Sequence, residues 1–346
     1  MSTFIVPLVT LSLETHPNAD SLSIAKAGLK QCVVKTKDFK NEALAVYLPV
    51  DSIADSEHPL LGFLGGKRVK ACKLRGVISE GLLIPWREVE GYLVNTLRMQ
   101  PQSIAKVKIL GRNFAGILRV KRWADTTLRF SSGIYELSNT NFKKYTDIEH
   151  LSNYNEVIAF GTEVNITEKL HGTSARYAII DNTALIGSRS KQLAVKGHSK
   201  TVWNFCYTKY SIEEKLRILQ DRYKTDVAIY GEIAGPKVQD LHYGQVEPAF
   251  FVYDIMVSGK YLPPVKAFQL AEELGLPVVP QLKNGPFNEE DLGLRLGNSL
   301  LSDKHVREGI VVKPLKPSWD MKLGRIILKV VSEDYLIRKG AVDIRE

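Results

Sequence analysis

The sequence predicts an α+β protein of two domains, in which a small β-barrel or sandwich precedes a larger domain of strands and helices. The chain has 346 residues, more than a single hydrophobic core ordinarily organises. Its 44% hydrophobic and 25% charged residues are typical of a folded globular protein. The first part carries short β-like runs separated by Pro and Gly, whereas the second half alternates short strands with a few helices.

The first domain, residues 1–140, is predicted to be mainly β, with no long amphipathic helix. The start of the chain lacks the positive charges and the small-residue cleavage site of a signal peptide, so we interpret it as a strand. The polar turn Asn139–Asn141 sets the predicted end of this domain. The predicted strands are Phe4–Leu13, Gln31–Val34, Ala43–Leu48, Gly81–Ile84, Val107–Leu110 and Gly116–Lys121.

The second domain, residues 141–346, is predicted to mix strands with flanking helices. Helical periodicity is clearest over Ser211–Leu219 and Pro264–Leu274. No apolar run approaches the length that crosses a membrane, so we expect no membrane association.

The net charge of +9 is concentrated in the first domain. Residues 1–140 hold 19 Lys and Arg against 12 Asp and Glu, whereas residues 141–346 hold 28 against 26. A basic surface attracts polyanions such as nucleic acids, and it also simply keeps a protein in solution. Charge alone leaves both interpretations open.

The three cysteines, Cys32, Cys72 and Cys206, are widely spaced and odd in number. This argues against a disulfide framework and favours a reducing, cytoplasmic location. None of them belongs to a CxxC pair or lies near a spaced His pair, so a structural zinc site is not expected.

Two segments of the first domain carry a more specific signal. They are His16–Ala25, which reads HPNADSLSIA, and Lys73–Leu83, which reads KLRGVISEGLL. In this order they resemble the OB-fold tRNA-binding module found beside several aminoacyl-tRNA synthetases. The resemblance implies an OB-type barrel that holds RNA on one face. Phosphate contacts would come from basic residues that also fit a solvated, lysine-protected edge strand, namely Lys67, Arg68, Lys70, Lys73 and Arg75.

The run Gly62–Lys67 looks like a phosphate-binding loop at first sight. Its first Gly is one position too late for GxxxxGK, and Arg68 replaces the Ser or Thr that would hold magnesium. We therefore reject that interpretation.

The second domain contains five separated segments whose residue types suit nucleotidyl transfer. In the first, Lys169 could attack an α-phosphate once it is unprotonated, which requires cationic neighbours or a metal. If the segment is a strand, Lys169 and His171 share a face, and Gly172 lets the backbone approach a nucleotide closely. Taken singly, each segment has an ordinary explanation, such as a surface lysine, a structural salt bridge or core aromatics. The segments are Thr167–Ser174, Gly187–Lys191, Ile229–Gly235, Phe250–Ile255 and Arg307–Lys313, the last followed by Ile327–Val330.

In this order, the segments resemble the motifs of the covalent nucleotidyltransferase superfamily of ligases and capping enzymes. The stretch Lys169–Thr173 reads KLHGT, which is similar to the KxHGT motif of RNA ligases of the phage T4 RNA ligase 2 type; DNA ligases favour KxDG. The entry to the domain, Phe142–Leu151, is also similar to that group. The resemblance implies an adenylyltransferase domain of antiparallel sheets with flanking helices, preceded by the OB domain.

The resemblance also implies site residues. Lys169 would carry AMP, His171 and Arg189 would handle phosphates, and Glu308 would bind magnesium or manganese. The catalytic set is Lys169, His171, Arg189 and Lys329, and the ATP-binding set is Glu168, Lys169, Gly172, Arg189, Glu232, Phe251, Tyr253, Lys313 and Lys329.

The resemblance assigns separate residues to the ribose, the adenine and the phosphates of ATP. Glu232 would hold the ribose hydroxyls, Tyr253 with Phe251 would stack on adenine, and Lys313 and Lys329 would contact phosphate. The chain departs from the terminal Lys-x-Lys motif, because its second position is Val331. Either Lys329 suffices, or Lys322 or Arg325 substitutes.

The implied function is ATP-dependent joining of RNA 3′-hydroxyl and 5′-phosphate ends, with RNA as partner and no stable protein partner. An mRNA-capping guanylyltransferase and a DNA ligase ordinarily carry a trailing OB domain, for which the residues after Lys329 leave no room. A non-catalytic RNA-binding protein with a decayed ligase core is the rival of another class. Decay is disfavoured by the joint presence of Lys169, Arg189, Glu232, Glu308 and Lys329.

Overall fold

The computed structural model describes residues 4–41, 43–123, 135–136, 139–195 and 201–338. The chain divides into two compact units, Ser2–Asp125 and Thr126–Glu346, so this division lies before the boundary predicted between residues 140 and 141. The fold is α+β, as predicted: an N-terminal OB-fold unit is followed by a unit of antiparallel sheets with flanking helices. None of the described helices is long and apolar enough to cross a membrane.

The N-terminal unit is built from short antiparallel strands and two helices. Strands β1, β5 and β9 form one sheet, and β2, β3 and β4 form another. Two smaller ladders pair β6 with β10 and β7 with β8. The elements are β1 (Leu8–Thr10), β2 (Ser12–Thr15), β3 (Leu22–Ala27), β4 (Lys30–Lys35), β5 (Leu44–Leu48), β6 (Ser52–Ile53), β7 (Cys72–Leu74), β8 (Val77–Ser79), β9 (Leu82–Pro85), α1 (Trp86–Asn95), α2 (Pro101–Val107) and β10 (Lys121–Arg122).

Strands β4, β5 and β9 confirm three of the predicted strands, but helix α1 was not predicted. Its buried side chains are Trp86, Val89, Tyr92 and Leu93, a helical spacing that the charged residues between them obscure in the sequence. The strands predicted over Val107–Leu110 and Gly116–Lys121 are wrong. Their Val, Ile and Leu content suits a strand, but Val107 ends α2 and only the last residue of the second stretch enters β10.

The two motif segments of the N-terminal unit meet in space. His16 Nε2 lies 3.2 Å from the carbonyl oxygen of Leu74, and Asn18 Nδ2 donates to the carbonyl of Arg75 at 2.9 Å. These bonds hold the turn between β7 and β8, where Arg75 and Gly76 have φ of 46° and 92°. The His-Pro-Asn segment therefore shapes the hairpin that presents Lys73 and Arg75 to solvent.

The C-terminal unit contains two larger sheets. The seven-stranded sheet has the order β11-β16-β15-β14-β17-β18-β19, and the five-stranded sheet has the order β12-β24-β21-β13-β20. The elements are β11 (Tyr135–Glu136), β12 (Glu149–His150), β13 (Glu163–Glu168), β14 (Thr173–Ile180), β15 (Thr183–Ser188), β16 (Gln192–Leu193), α3 (Val202–Lys209), α4 (Ile212–Tyr223), β17 (Val227–Ala234), β18 (Ala249–Val257), β19 (Lys260–Tyr261), α5 (Pro264–Glu273), β20 (Gln281–Pro286), β21 (Gly309–Pro314), β22 (Trp319–Asp320), β23 (Gly324–Arg325), β24 (Leu328–Val331) and α6 (Glu333–Ile337).

Helices α3, α4 and α5 cover one face of the seven-stranded sheet. Alternate residues such as Tyr177, Ile229 and Phe250 are completely buried there, with Leu216 of α4 and Leu270 of α5 in the same core. Helices α4 and α5 confirm the two predicted helices. The α3 helix was not predicted.

The opposite face of the seven-stranded sheet looks toward the five-stranded sheet. Successive residues of a strand point to opposite faces, so Ser174, which pairs with Glu232, lies on the face away from the helices. On the five-stranded sheet Lys313 and Lys329 share the face away from that sheet's apolar core. Lys313 Nζ reaches Asp254 of β18 at 2.9 Å, so the two polar faces are opposed.

Candidate active site

The segment Lys169–Gly172 crosses from one sheet to the other, between β13 and β14. Lys169 leaves β13 with its backbone N–H donating to the carbonyl of Gly309 at 2.9 Å. Its Nζ lies 2.5 Å from Glu308 Oε1, and the two side chains are 23% and 9% exposed. A reactive amine and a carboxylate are thus brought together from positions 139 residues apart.

Glu308 is placed by the glycine that follows it. Gly309 has φ of 154°, and a Cβ there would lie 2.1 Å from the carbonyl oxygen of Val330. A larger residue would separate β21 from β24, so the Glu-Gly sequence is needed to pack these strands. Within the described part of the chain, Glu308 Oε2 is buried without a hydrogen-bond partner.

His171 is the second side chain that reaches Glu308, at 3.8 Å from Nδ1 to Oε2. Its ring is 4% exposed. Nε2 lies 2.7 Å from Asp240 Oδ1, and Nδ1 lies 2.9 Å from the hydroxyl of Tyr335. The expectation that Lys169 and His171 lie on one strand is wrong, because β13 ends before them; they converge on Glu308 from a connecting turn.

Asp240 is a carboxylate that accepts from both His171 and Arg338. Burial acts to raise its pKa, but the hydrogen bonds from His171 and Arg338 outweigh burial and lower the pKa from its ordinary value. An ionised carboxylate only accepts, so Nε2 of His171 carries a proton.

The packing of the backbone requires a glycine at position 172. A Cβ at this position would lie 2.2 Å from the carbonyl oxygen of Ile233 and 2.9 Å from Glu232 Cγ. We expected Gly172 to admit a nucleotide; in this structure its first effect is to let the turn pack against β17.

Glu168 is almost completely buried, at 1% exposure. One of its oxygens accepts from the backbone N–H of Leu300 at 2.9 Å, and burial raises the pKa of its carboxyl group. Its side chain thus positions the chain around Leu300, whereas the sequence assigned it to the ATP-binding set.

The opposite wall is formed by the polar face of the seven-stranded sheet. Ser174, Glu232 and Phe251 are neighbours in register on β14, β17 and β18. A bulge next to Gly231 shifts Tyr253 out of regular alternation, and the Tyr253 hydroxyl lies 2.9 Å from Ser174 Oγ. Tyr253 also packs against the apolar cluster that contains Phe251, so the bulge does not separate the two rings, and their joint stacking on adenine stays a prediction. Phe251 is 5% exposed and belongs to an apolar cluster with Leu170, Phe268 and Val279.

Lys313 lies under this wall and is 2% exposed. Its ammonium donates to Asp254 at 2.9 Å and to the carbonyl of Tyr253 at 2.6 Å. Arg325 donates to both oxygens of Asp254, at 3.0 and 3.1 Å, and Tyr145 donates to the same carboxylate. The charge of Lys313 is thus paired with Asp254, and the phosphate contact assigned to Lys313 stays a prediction.

Burial acts to raise the pKa of Asp254, but Lys313 and Arg325 outweigh burial and hold that pKa below its ordinary range. Burial lowers the pKa of Lys313. Arg325 was one of two candidates for the missing second lysine of the terminal motif. Its guanidinium is 4% exposed and belongs to this network, so that substitution is not supported.

The remaining predicted residues are less enclosed. Arg189 follows β15 and forms an exposed ion pair with Asp147. Lys329 is half-buried on β24, where it is opposite Val311 of β21. Lys322, the other candidate for the terminal motif, is exposed in the turn between β22 and β23.

Sequence reasoning missed four residues that the structure adds to the site. Asp254 had a signal, since it is an acidic residue inside an otherwise apolar strand. Asp240, Tyr335 and Arg338 had none, because they lie in loops or beyond the terminal motif and meet His171 only in the folded chain.

Among the described residues, no three His, Cys, Asp or Glu side chains cluster as a preformed metal site. The unpartnered Oε2 of Glu308 nevertheless fits a hard divalent cation. Such a cation usually takes one or two carboxylates together with water and substrate phosphates. The arrangement thus combines an amine, a single carboxylate with one unpartnered oxygen, and basic groups around a cleft.

An OB-fold unit followed by a nucleotidyltransferase-like α+β unit is the class of protein that this fold defines. Residues 162–331 match the family model "RNA ligase", and residues 8–86 match the family model "PHA02142 OB-fold domain". The first match spans the strands from β13 to β24 and thus both walls of the cleft.

Solved structures of Naegleria gruberi RNA ligase have a similar fold. The structure with PPi is 23% identical, with a TM-score of 0.77, and the match covers 96% of this chain and 98% of that chain. A lysine-to-alanine mutant with ATP and Mn is 22% identical, with a TM-score of 0.77 over the same shares. A glutamate-to-alanine mutant with AMP and Mn gives 22% identity and a TM-score of 0.78, again over the same shares. No curated protein sequence matches this chain significantly.

Proposed function

We propose that this protein is an ATP-dependent RNA ligase that joins a 3′-hydroxyl to a 5′-phosphate end in RNA repair. Lys169 Nζ attacks the α-phosphorus of ATP, forming a P–N bond as the bond to pyrophosphate breaks. The RNA 5′-phosphate then takes the AMP from Lys169. A 3′-hydroxyl finally attacks the RNA 5′-phosphorus, and AMP leaves.

The contact between Lys169 Nζ and Glu308, at 2.5 Å in the cleft, is the observation that carries this proposal. An ammonium beside a carboxylate is a poor nucleophile, because it is held protonated. Any cation that binds Glu308 competes with the lysine for this carboxylate and favours the neutral amine. The Lys169–Glu308 ion pair thus contains the nucleophile, and separation of the pair by a cation would leave the amine free to attack.

Glu308 would hold the magnesium or manganese through its unpartnered Oε2. When bound, the metal supplies positive charge that offsets developing charge on phosphate oxygens. The titles of the similar Naegleria gruberi structures print ATP or AMP together with Mn, which supports a divalent cation here.

The remaining residues would orient the substrates. Glu232 projects from the wall beside Ser174 and would bind the ribose hydroxyls, while the Tyr253 ring would lie against adenine. Arg189 is exposed and would engage phosphate by exchanging Asp147 for the substrate. Lys329 stays the proposed phosphate contact of the terminal motif.

The N-terminal unit would bind RNA. Lys73 and Arg75 are exposed on the β7–β8 hairpin, and Lys67 and Lys70 are exposed nearby in the sequence. Arg68 differs, since its guanidinium stacks 4.1 Å from the Trp123 ring and faces Asp51 at 3.5 Å. OB folds commonly bind single strands with a basic groove and aromatic platforms.

Incubation with ATP labelled in the α-phosphate tests the proposal. A protein-bound AMP that survives denaturation and is released by acid, as a phosphoramidate would be, is the expected result. Transfer of the label to a 5′-phosphorylated RNA, followed by strand joining, completes the test. Labelling by GTP in place of ATP would indicate a guanylyltransferase, and labelling by neither nucleotide would indicate an RNA-binding protein without ligase activity.

A further inference from the structure

Helix α6 follows the last predicted motif and lies beyond the residues that match the RNA ligase model. Its first turn is fixed at two points. The backbone N–H of Ser332 donates to the carbonyl of Glu308 at 2.8 Å. Arg295 Nε donates to both carboxylate oxygens of Glu333, at 2.9 and 3.0 Å. The helix is thus attached to the site and to the chain that precedes β21.

The end of this helix holds His171 from two sides. The Tyr335 hydroxyl lies 2.9 Å from Nδ1. Arg338 donates to the Asp240 carboxylate at 3.0 and 3.1 Å, and the same carboxylate accepts from Nε2 of His171. Arg338 also lies 3.7 Å from the centre of the Tyr335 ring. Tyr335 is 6% exposed, so the contact is sheltered from water.

We propose that Tyr335 and Arg338 are positioning residues, which fix the ring of His171 for transfer of AMP from Lys169 to the RNA 5′-phosphate. The inference rests on the proposed function. With both ring nitrogens held, the imidazole cannot rotate, and Nδ1 stays directed toward Glu308. The contacts of Tyr335 and Arg338 given above lead to His171 and Asp240, so we expect the first transfer, from ATP to Lys169, to depend on them much less.

The test uses the full-length protein and Tyr335→Phe, which removes one hydroxyl and retains the ring. Isolated enzyme-AMP should pass its label to 5′-phosphorylated RNA about fivefold to tenfold more slowly, as expected for one lost hydrogen bond. Labelling by ATP should change less than twofold. Tyr177→Phe is the matched control, because Tyr177 is completely buried and its hydroxyl donates to Trp203 instead.

Two further measurements separate positioning from general stability. In a His171→Ala background, Tyr335→Phe should have no additional effect on transfer, because its partner is gone. In ¹⁵N NMR spectra, Tyr335→Phe should shift the Nδ1 signal of His171 and leave Nε2 nearly unchanged. A loss that multiplies with that of His171→Ala, or an unshifted Nδ1, would overturn the inference. If the wild type takes no AMP, the proposed function fails and the NMR signal alone decides the contact.

A second surface of interest is the β22–β23 hairpin. The β22–β23 hairpin carries Trp319 at 61% exposure and Met321 fully exposed. Asp320 is turned inward and accepts from the backbone N–H groups of Lys322 and Leu323 at 2.8 and 2.9 Å. Lys316 and Lys322 are exposed, and neither forms an ion pair with a described residue. The surface thus carries an exposed aromatic ring with one exposed lysine three residues before it and another three residues after it.

The base of this hairpin is held by contacts with the rest of the C-terminal unit. Arg325 donates to Asp254 and lies 3.6 Å from the centre of the Tyr261 ring, while Ile326 N–H donates to the Ser318 carbonyl at 2.9 Å. The six residues of β21 and residues 315–318 lie between Glu308 and the hairpin, and β21 alone spans roughly 20 Å of extended chain. Exposed tryptophan beside unpaired lysines suits a nucleic-acid strand, whose bases stack and whose phosphates attract cations.

We infer that this hairpin binds RNA away from the reacting end, with a base on Trp319 and phosphates at Lys316 and Lys322. This also rests on the proposed function. Trp319→Ala should weaken binding of an RNA strand about fivefold or more. Removal of both lysines should reduce the slope of log K against log salt by about 1.4. Val246→Ala, at a residue that is 92% exposed on another loop, is the control.

Labelling by ATP should be unchanged in these variants. RNA should also quench a fluorescence component that Trp319→Phe removes, since the chain has only four tryptophans. An RNA affinity and salt slope equal to those of the wild type would overturn this surface while leaving the ligase proposal intact. Absence of labelling in the wild type would instead remove the ligase proposal, and the binding measurements would still decide the surface.

Discussion

At the scale of single residues, the site depends on one ion pair. Lys169 and Glu308 are each held by a backbone constraint, the first by its bond to Gly309 and the second by the glycine that β24 requires. Removal of either partner leaves the other charge in a sheltered cleft. Substitution of either residue should therefore impair the same step, transfer of AMP to Lys169, for a different reason.

Lys169→Ala should abolish the AMP adduct, because no other amine is assigned to the attack. Gel labelling with ATP measures it directly, with Lys266→Ala, at an exposed lysine of α5, as control. A variant that labels as well as the wild type would show that the nucleophile is another residue.

Glu308→Gln keeps the shape of the side chain and removes its charge. We expect at least a hundredfold loss of labelling, the scale of one lost electrostatic contact at a reacting centre. Raising the manganese concentration should recover little, since a neutral amide binds a hard cation poorly. Full recovery at high manganese would mean that other groups hold the metal.

His171 lies beside the Lys169–Glu308 ion pair, with its Nδ1 3.8 Å from Glu308 Oε2. His171→Ala should retain part of the AMP labelling and lose most transfer to RNA. The two steps are measured separately, with ATP for the first and isolated enzyme-AMP for the second. Equal losses in both would favour a purely structural role for the ring.

At the scale of elements, the two sheets of the C-terminal unit are joined through a buried charge cluster. Lys313 of β21 and Arg325 of β23 meet the completely buried carboxylate of Asp254 on β18. The site requires both sheets, because Lys169 enters from one and Glu232 projects from the other. The cluster therefore fixes the width of the cleft at its base.

Asp254→Asn should destabilise the C-terminal unit by about 3–5 kcal/mol, because it leaves two buried cations without a counter-charge. Urea unfolding measures the loss. Glu247→Gln breaks an exposed pair with Lys209 and should cost less than about 1 kcal/mol. Similar values for the two variants would show that the buried cluster contributes little.

At the scale of the whole molecule, chemistry and RNA engagement are expected to separate. The proposed chemical residues lie from Glu168 onward, whereas most of the net positive charge lies within residues 1–140. Lys73→Ala combined with Arg75→Ala should leave AMP labelling intact. It should lower the slope of log K against log salt for RNA by about 1.4. A salt slope equal to that of the wild type would remove the β7–β8 hairpin from the RNA-binding surface.

The sequence by itself determined the fold class, the two principal helices of the second domain and the set of residues to examine. It could do so because these features have local signatures: periodicity for the helices, and short ordered segments such as the KLHGT run at Lys169. It was wrong in placing Lys169 and His171 on one strand, because β13 ends at Glu168, and it did not anticipate the buried ion pair of Lys313 with Asp254.

Only the tertiary structure decided which charged side chains are buried and which partner each one meets. Lys313 and Lys329 look alike in the sequence, yet one is committed to Asp254 and the other is half-buried on β24. Tyr335 meets His171 across 164 positions of the chain, and no local pattern marks that contact. Such contacts arise when two sheets and a terminal helix pack together, because burial forces each polar group to find a partner wherever the fold provides one.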